Sequence, residues 1–293
     1  MTRRALTLFL PLAVITAISF DRGVWASGQV KVEIPNDKSD FHFAVVGDTG
    51  TGGSDQYKVG ERLNATLGVF PFNVVIMMGD NLYGVESPSD FEKKFELPYA
   101  GLLSQGVKFY ASLGNHDNPS QRFYSKFNMG GNRYYAFKPQ DGVRFFALDS
   151  NYMDKEQLAW LDKELERSGS EWKIPYFHHP LYSSGATHGS SKEIRDVLEP
   201  LFLKHGVSVV FSGHEHFYER IKPQNGITYF TVGSSAKLRK GDIQKTDLTA
   251  KGFDTDNVFM ICALNKDQLS FQTISKTGAI IDQGSIPRTS EKK

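Results

Sequence analysis

The chain has 293 residues, with 34 basic and 33 acidic side chains and a formal net charge of +1. Near-cancelling charge, with no long Lys/Arg run and no acidic tail, argues against a nucleic-acid-binding protein, and a single cysteine excludes an internal disulfide framework. Twenty-two Phe in a chain of this length supply enough apolar volume for a full folded core, as one large α/β domain or two smaller ones.

Arg3 and Arg4 precede an uncharged apolar run from Ala5 to Phe20, and Val24-Trp25-Ala26 offers small residues for cleavage. This layout predicts a secretory signal peptide over residues 1–26 and a mature chain that is secreted or periplasmic. The Arg pair admits twin-arginine export beside the general route. The apolar run is shorter than the roughly 20 residues a membrane span needs, so no stable membrane insertion is expected after cleavage. Residues 27–39 read as a polar linker, 40–285 as one domain and 286–293 as a C-terminal tail.

Phe41 to Val46 reads as a buried strand ending at Gly47-Asp48. Thr49 to Gly53 looks like a phosphate loop but lacks the Gly-Lys-Ser/Thr ending, and reads as a flexible turn. Ser54 is placed to cap a helix carrying Val59, Leu63 and Leu67, a helix that also contains the Asn64-Ala65-Thr66 sequon. A second strand, 73–78, delivers Gly79-Asp80-Asn81-Leu82-Tyr83. Ser87-Pro88 suits the start of a short helix, and strand 107–112 delivers Gly114-Asn115-His116-Asp117. Residues 118–132 read as a surface loop, followed by paired strands at 133–137 and 143–148. Asp154 with Gln157 opens a helix through Leu158, Leu161 and Leu165. Strand 173–177 delivers His178-His179-Pro180. A helix marked by Ile194, Val197, Leu198 and Leu201 is expected to break at Pro200. Strand 207–211 delivers Gly213-His214-Glu215-His216, and the chain from Ile227 onward is mostly strand-like, with Cys262 as a core residue.

The polar residues fall in a pattern. Asp48, Asp80, Asn115 with His116, His178, and His214 with His216 each follow an apolar strand, and parallel strands would gather such loops at one sheet edge. Each alone is an ordinary turn or cap residue. Together they offer oxygen and imidazole donors, with Tyr83 as a further oxygen close to Asp80, too many for one tetrahedral zinc and suited to two cations sharing a carboxylate. His42, His179 and His205 are left as structural or solvent-facing.

Taken in order, Gly47-Asp48-Thr49-Gly50, Gly79-Asp80-Asn81-Leu82-Tyr83, Gly114-Asn115-His116-Asp117, His178-His179-Pro180 and Gly213-His214-Glu215-His216 resemble the motifs of calcineurin-like metallophosphoesterases. Tyr83 narrows the resemblance to purple acid phosphatases of the small, tartrate-resistant type. The resemblance spans roughly residues 40–285. It implies a four-layer αββα sandwich, with two packed mixed sheets and helices outside. It implies that Asp48, Asp80, Tyr83 and His216 hold Fe(III), and that Asp80, Asn115, His178 and His214 hold a divalent Fe, Zn or Mn. His116 would meet the substrate phosphate and protonate the leaving oxygen. His188, ten residues after His178, resembles a second substrate-facing histidine at a spacing one residue longer than the family pattern.

The expected function is that of a secreted acid phosphatase, hydrolysing small-molecule or protein phosphomonoesters with a metal-bound hydroxide as nucleophile. Two alternatives stand beside it: a phosphodiesterase or nuclease on the same metal pair, and a non-catalytic secreted binding protein with this fold. The sequence leaves the natural phosphoester, the divalent metal and the oligomeric state open.

Overall fold

The structure, a computed structural model, describes residues 30–289; the expected signal peptide lies outside them. The first apolar run forms β1 (Phe41–Val46), and helix α1 (Ser54–Leu67) follows with Gly53 rather than Ser54 at its N-cap. β2 (Val74–Met77) leads to α2 (Pro88–Phe91), a π-helical turn at Glu92–Glu96, α3 (Ala100–Ser104) and β3 (Lys108–Ala111). β4 (Tyr135–Gln140), β5 (Val143–Ala147), α4 (Lys155–Arg167), β6 (Trp172–Tyr176), α5 (Lys192–Lys204) and β7 (Val209–Ser212) come next. The remaining strands are β8 (Tyr218–Ile221), β9 (Thr228–Val232), β10 (Thr249–Phe253), β11 (Val258–Leu264), β12 (Gln268–Ser275) and β13 (Ile280–Pro287).

Two mixed sheets result. One has the order β13-β12-β11-β1-β2-β3, the other β10-β8-β9-β7-β6-β5-β4. β1, β2 and β3 run parallel in the first, and β5, β6, β7 and β9 in the second. Aromatic rings fill the space between the sheets. Phe43 on β1 meets Phe145 on β5 at 5.1 Å, and Phe230 on β9 meets Phe271 on β12 at 4.9 Å, both edge to face. A second apolar cluster sits under α4 and α5, where Leu161, Leu165, Leu198 and Phe202 pack with Phe146, Phe177 and Val210. On the other sheet, α1 buries Val59 and Leu63. The architecture is the expected α/β one of two sheets with helices outside. Residues 31–34 run along β12 without regular secondary structure: Gln272 bonds Lys31 O and Glu33 N, and Ile34 is buried.

Two further local expectations are corrected. α5 does not break at Pro200 but runs through it. The proline cannot donate to the carbonyl of Asp196 four residues back; both residues are exposed, so the missing bond lies on the solvent side while buried Leu198 and Phe202 hold the inner face. Residues 118–132 are more than a surface loop: two 3₁₀ turns bury Gln121 and Phe127, Met129 is buried just after them, and Phe127 lies 4.9 Å from Phe95. At the start of α4, Asp154 caps Gln157 N, but the Gln157 carboxamide does not return to the cap. It bonds Asp149 N and Asp149 O instead, fixing the turn after β5.

Candidate metal centre

The site forms where turns from both sheets meet. Turns after β1, β2 and β3 bring Asp48, Asp80, Asn115 and His116 from one sheet, and turns after β6 and β7 bring His178, His214 and His216 from the other. The backbone there is under strain. Asp48, Asp80 and His214 have φ of 55, 50 and 70°, a left-handed conformation that costs a non-glycine residue roughly 1–3 kcal/mol and persists where surrounding contacts enforce it. Two glycines permit the close approach: a Cβ on Gly114 would lie 2.2 Å from Asp80 N, and one on Gly213 2.6 Å from Asp48 Oδ2.

Seven side chains named from the sequence converge. Asp48 Oδ1 lies 3.2 Å from Tyr83 Oη and 3.4 Å from His216 Nε2, and Tyr83 Oη lies 3.3 Å from His216 Nε2. Asp80 Oδ1 lies 3.4 Å from His178 Nε2. His178 Nε2 is 2.9 Å from Asn115 Oδ1 and 3.1 Å from His214 Nδ1, which is itself 3.0 Å from Asn115 Oδ1. Asp48, Asp80 and His178 each present an atom within 4.8 Å of the others, a geometry that suits a metal ion.

The chemistry of these donors fits a cation. His178 Nδ1 faces Met78 O at 2.8 Å, and a carbonyl can only accept, so the ring proton sits on Nδ1. That leaves Nε2 with a lone pair directed at Asn115 Oδ1 and Asp80 Oδ1, which have no hydrogen to offer. Burial pushes the imidazoles toward the neutral, donating form. His178 falls well below its usual value through burial and then His179, His214 falls through burial and then His178, and His216 is pushed down to about 4 through burial and then Arg239. The acidic donors move the other way: burial and the neighbouring Asp80 raise Asp48, and burial with Asp48 raises Tyr83. Both are the response of anionic donors gathered without a positive charge.

Asp117 holds the second and third turns together. It accepts from Gly114 N, Asn81 Nδ2, Leu82 N and Gln121 Nε2, at 2.8, 3.0, 3.0 and 2.8 Å. Burial and Asp80 push its carboxyl up, to about 8. All four partners are donors, however, so a proton on Asp117 would find no acceptor, and the network holds the carboxylate.

His116 is exposed at the rim, its amide donating to Asp80 Oδ1 at 3.0 Å and its ring 5.1 Å from that of Tyr83. The His188 ring lies 4.2 Å from His214, so it also reaches the rim. His179 comes nearer than expected: its ring is 4.5 Å from His214, its Nδ1 is 2.8 Å from Ser150 Oγ, and it lines a cavity of about 390 Å³ beside Asn115. His42 stacks on Phe70, and His205 pairs with Asp162, both away from the site. Two rim residues were missed by sequence reasoning. Lys237 lies over the Tyr83 ring, and Arg239 Nη2 lies 3.4 Å from His188 Nε2. Both sit in Ser-Ser-Ala-Lys-Leu-Arg-Lys after β9, where a cation reads as an ordinary surface residue.

Residues 41–218 match the sequence pattern of the calcineurin-like phosphoesterase family. Purple acid phosphatase 7 of Arabidopsis thaliana is 26% identical, over 86% of this chain and 88% of that protein. Tartrate-resistant acid phosphatase type 5 of Rattus norvegicus is 23% identical, over 85% of this chain and 91% of that protein. Among solved structures, GAP50, described as the anchor in the inner membrane complex of Plasmodium, has a TM-score of 0.75 at 19% identity, covering 86% of this chain and 90% of its own, a likeness of fold.

Proposed function

Because the chain belongs to the calcineurin-like phosphoesterase family, we propose that it hydrolyses phosphomonoesters at a pair of metal ions, as a small purple acid phosphatase. One observation carries this reading: the His178 proton is committed to Met78 O, so its Nε2 lone pair faces the acceptor oxygens Asn115 Oδ1 and Asp80 Oδ1 at 2.9 and 3.4 Å, with His214 Nδ1 3.1 Å away. Asp48, Tyr83 and His216 add a second donor group beside it. Asp48, Asp80, Tyr83 and His216 would hold Fe(III), and Asp80, Asn115, His178 and His214 would hold a divalent Fe, Zn or Mn. Metals bound there supply positive charge against the phosphate oxygens and make water far more acidic than in bulk.

The chain's own residues do the rest. Asp80 fixes the His116 backbone, which sets the imidazole at the rim beside Tyr83, where it gives its proton to the leaving alkoxide. Arg239 lies against His188 and is backed by Glu215 and Asp242 at 3.6 and 3.5 Å, so the two form one phosphate-facing pair. His216, pushed down to about 4, stays a donor in acid, in keeping with an acid phosphatase. The signal-like residues 1–26 support export, which N-terminal sequencing from the native host tests.

Metal analysis combined with monoester and diester assays across pH tests the reading. Two metals per chain including iron, with monoesters preferred in acid, is the expected result. A preference for diesters would turn it into a phosphodiesterase, and metal-loaded protein without turnover into a binding protein.

A further inference from the structure

Lys237 is held against the metal centre by its backbone. Ser235 N donates to Gly47 O at 3.1 Å, Lys237 N to Asp48 O at 3.2 Å and Arg239 N to His216 O at 2.9 Å, so this stretch is laced to two turns that carry candidate ligands. Ser235 Oγ adds a bond from Gly47 N at 3.2 Å and one to Val258 O at 2.9 Å. The side chain starting from this fixed point places its ammonium 4.4 Å from the centroid of the Tyr83 ring.

The partners of the two cations differ. Arg239 has Glu215 and Asp242 within 4 Å. Lys237 is half-buried and, among the described residues, has no carboxylate within ion-pair distance; the aromatic face is what it meets. An ammonium this close to a ring is attracted by its electron-rich face, and the attraction grows when the ring gains negative charge. A neutral phenol is a modest partner for a half-buried ammonium, and a phenolate a strong one. The oxygen end of the same ring points at Asp48 and His216.

We propose that Lys237 tunes the metal held by Tyr83: seated on the ring, its ammonium draws electron density from the phenolate and makes the ion at the oxygen end easier to reduce. This deepens the reading above and rests on Tyr83 being a phenolate ligand to ferric iron. Two consequences follow. With ferric iron bound, visible absorption would take an electron off the ring that the ammonium faces, so the ammonium would raise the energy of that transition. Reduction adds negative charge close to a fixed cation, so the ammonium favours the reduced state.

The test uses iron-loaded full-length protein with Lys237→Met, which keeps an unbranched apolar stem, Lys237→Arg, which restores a cation, and Tyr83→Phe as a control. Absorption spectra and reductive titration are the readouts, with bound iron measured in each sample. For Lys237→Met, the visible band should move to longer wavelength, and at a fixed poise the ferric-to-ferrous ratio should rise roughly two- to thirty-fold, the range spanned by cation–π contacts. Lys237→Arg should return both values most of the way to wild type. If wild type is coloured, Tyr83→Phe is colourless, and Lys237→Met matches wild type in band and titration, the tuning role is overturned while the ligand role stands. If iron-loaded wild type is itself colourless, or Tyr83→Phe keeps the colour, the ligand assignment fails, and the tuning inference with it.

Discussion

The backbone amide of His214 donates to Asp48 Oδ2 at 2.9 Å, joining the turn after β7 in one sheet to the turn after β1 in the other. Both residues are in the left-handed region. Asp48 is therefore a structural cross-tie as well as a candidate ligand, and two substitutions separate the roles. Asp48→Asn keeps an oxygen for the His214 amide and removes the charge that burial and Asp80 disfavour. Metal-free Asp48→Asn should be as stable as wild type or slightly more so, and should bind metal poorly. Asp48→Ala leaves a buried N–H unsatisfied and should lose about 1–3 kcal/mol. Thermal unfolding in chelator checks both; equal loss in the two variants would mean that the charge, not the tie, holds the turns.

Asp80 stands between the two donor groups, with Asp48 and His178 both within reach of its oxygens. If it serves both ions, Asp80→Ala should empty both sites, a larger effect than the roughly 10–100-fold affinity loss typical of removing an outer partner. Metal counting by emission spectrometry decides. One ion retained at normal occupancy would make Asp80 a terminal ligand.

His116 touches Asp80 only through its backbone, and its imidazole is exposed. His116→Ala should keep both metals and lose roughly 10²–10⁴-fold in rate, the usual size of a general-acid contribution. The loss should shrink for esters whose leaving group needs no proton, such as nitrophenyl phosphate. An equal loss for good and poor leaving groups would leave His116 with phosphate binding alone.

The candidate donors were legible because each is a chemically distinctive residue after a short apolar run: Asp48 after β1, His178 after β6, His214 after β7. Their arrival from two different sheets was not, since nothing local in 172–176 or 209–212 says that β6 and β7 lie in a separate sheet from β1. β8 escaped notice for a related reason. Its charged Glu219 and Arg220 look like loop residues, and only the folded chain supplies their partners, Ser184 and Thr249 for one and Asp282 for the other. Pro200 misled because the bond it removes lies on the solvent face of α5, while Leu198 and Phe202 anchor the opposite face. Lys237 and Arg239 carry no signal of their own, because their placement at the rim comes from backbone bonds to Asp48 and His216 far away in sequence.

Acid stability offers a test at the support of the Tyr83 turn. Lys94 Nζ donates to Tyr83 O and Val85 O, both at 2.8 Å, and pairs with Asp90 Oδ1 at 2.8 Å. Asp90 also accepts from Ser87 N and Ser87 Oγ, closing a capping box at the start of α2. Lys94, then Ser87, hold the Asp90 carboxyl down at about 2. The unfolded chain has an ordinary carboxyl, near 3.9. Between those values the unfolded state binds a proton that the folded state does not, so stability falls as pH falls. The Asp90 contribution is therefore whole above about pH 4 and is lost as pH drops through about 2. Asp90→Asn keeps an acceptor for Ser87 but gives up the ion pair with Lys94. Its melting temperature should lie below wild type from neutral pH down to about pH 4, with the gap closing at lower pH. Thermal unfolding of metal-free protein across this range, in chelator so that ligand protonation is common to both proteins, is the measurement. A gap that stays constant to the lowest pH would show that Asp90 acts through its hydrogen bonds and not through its charge.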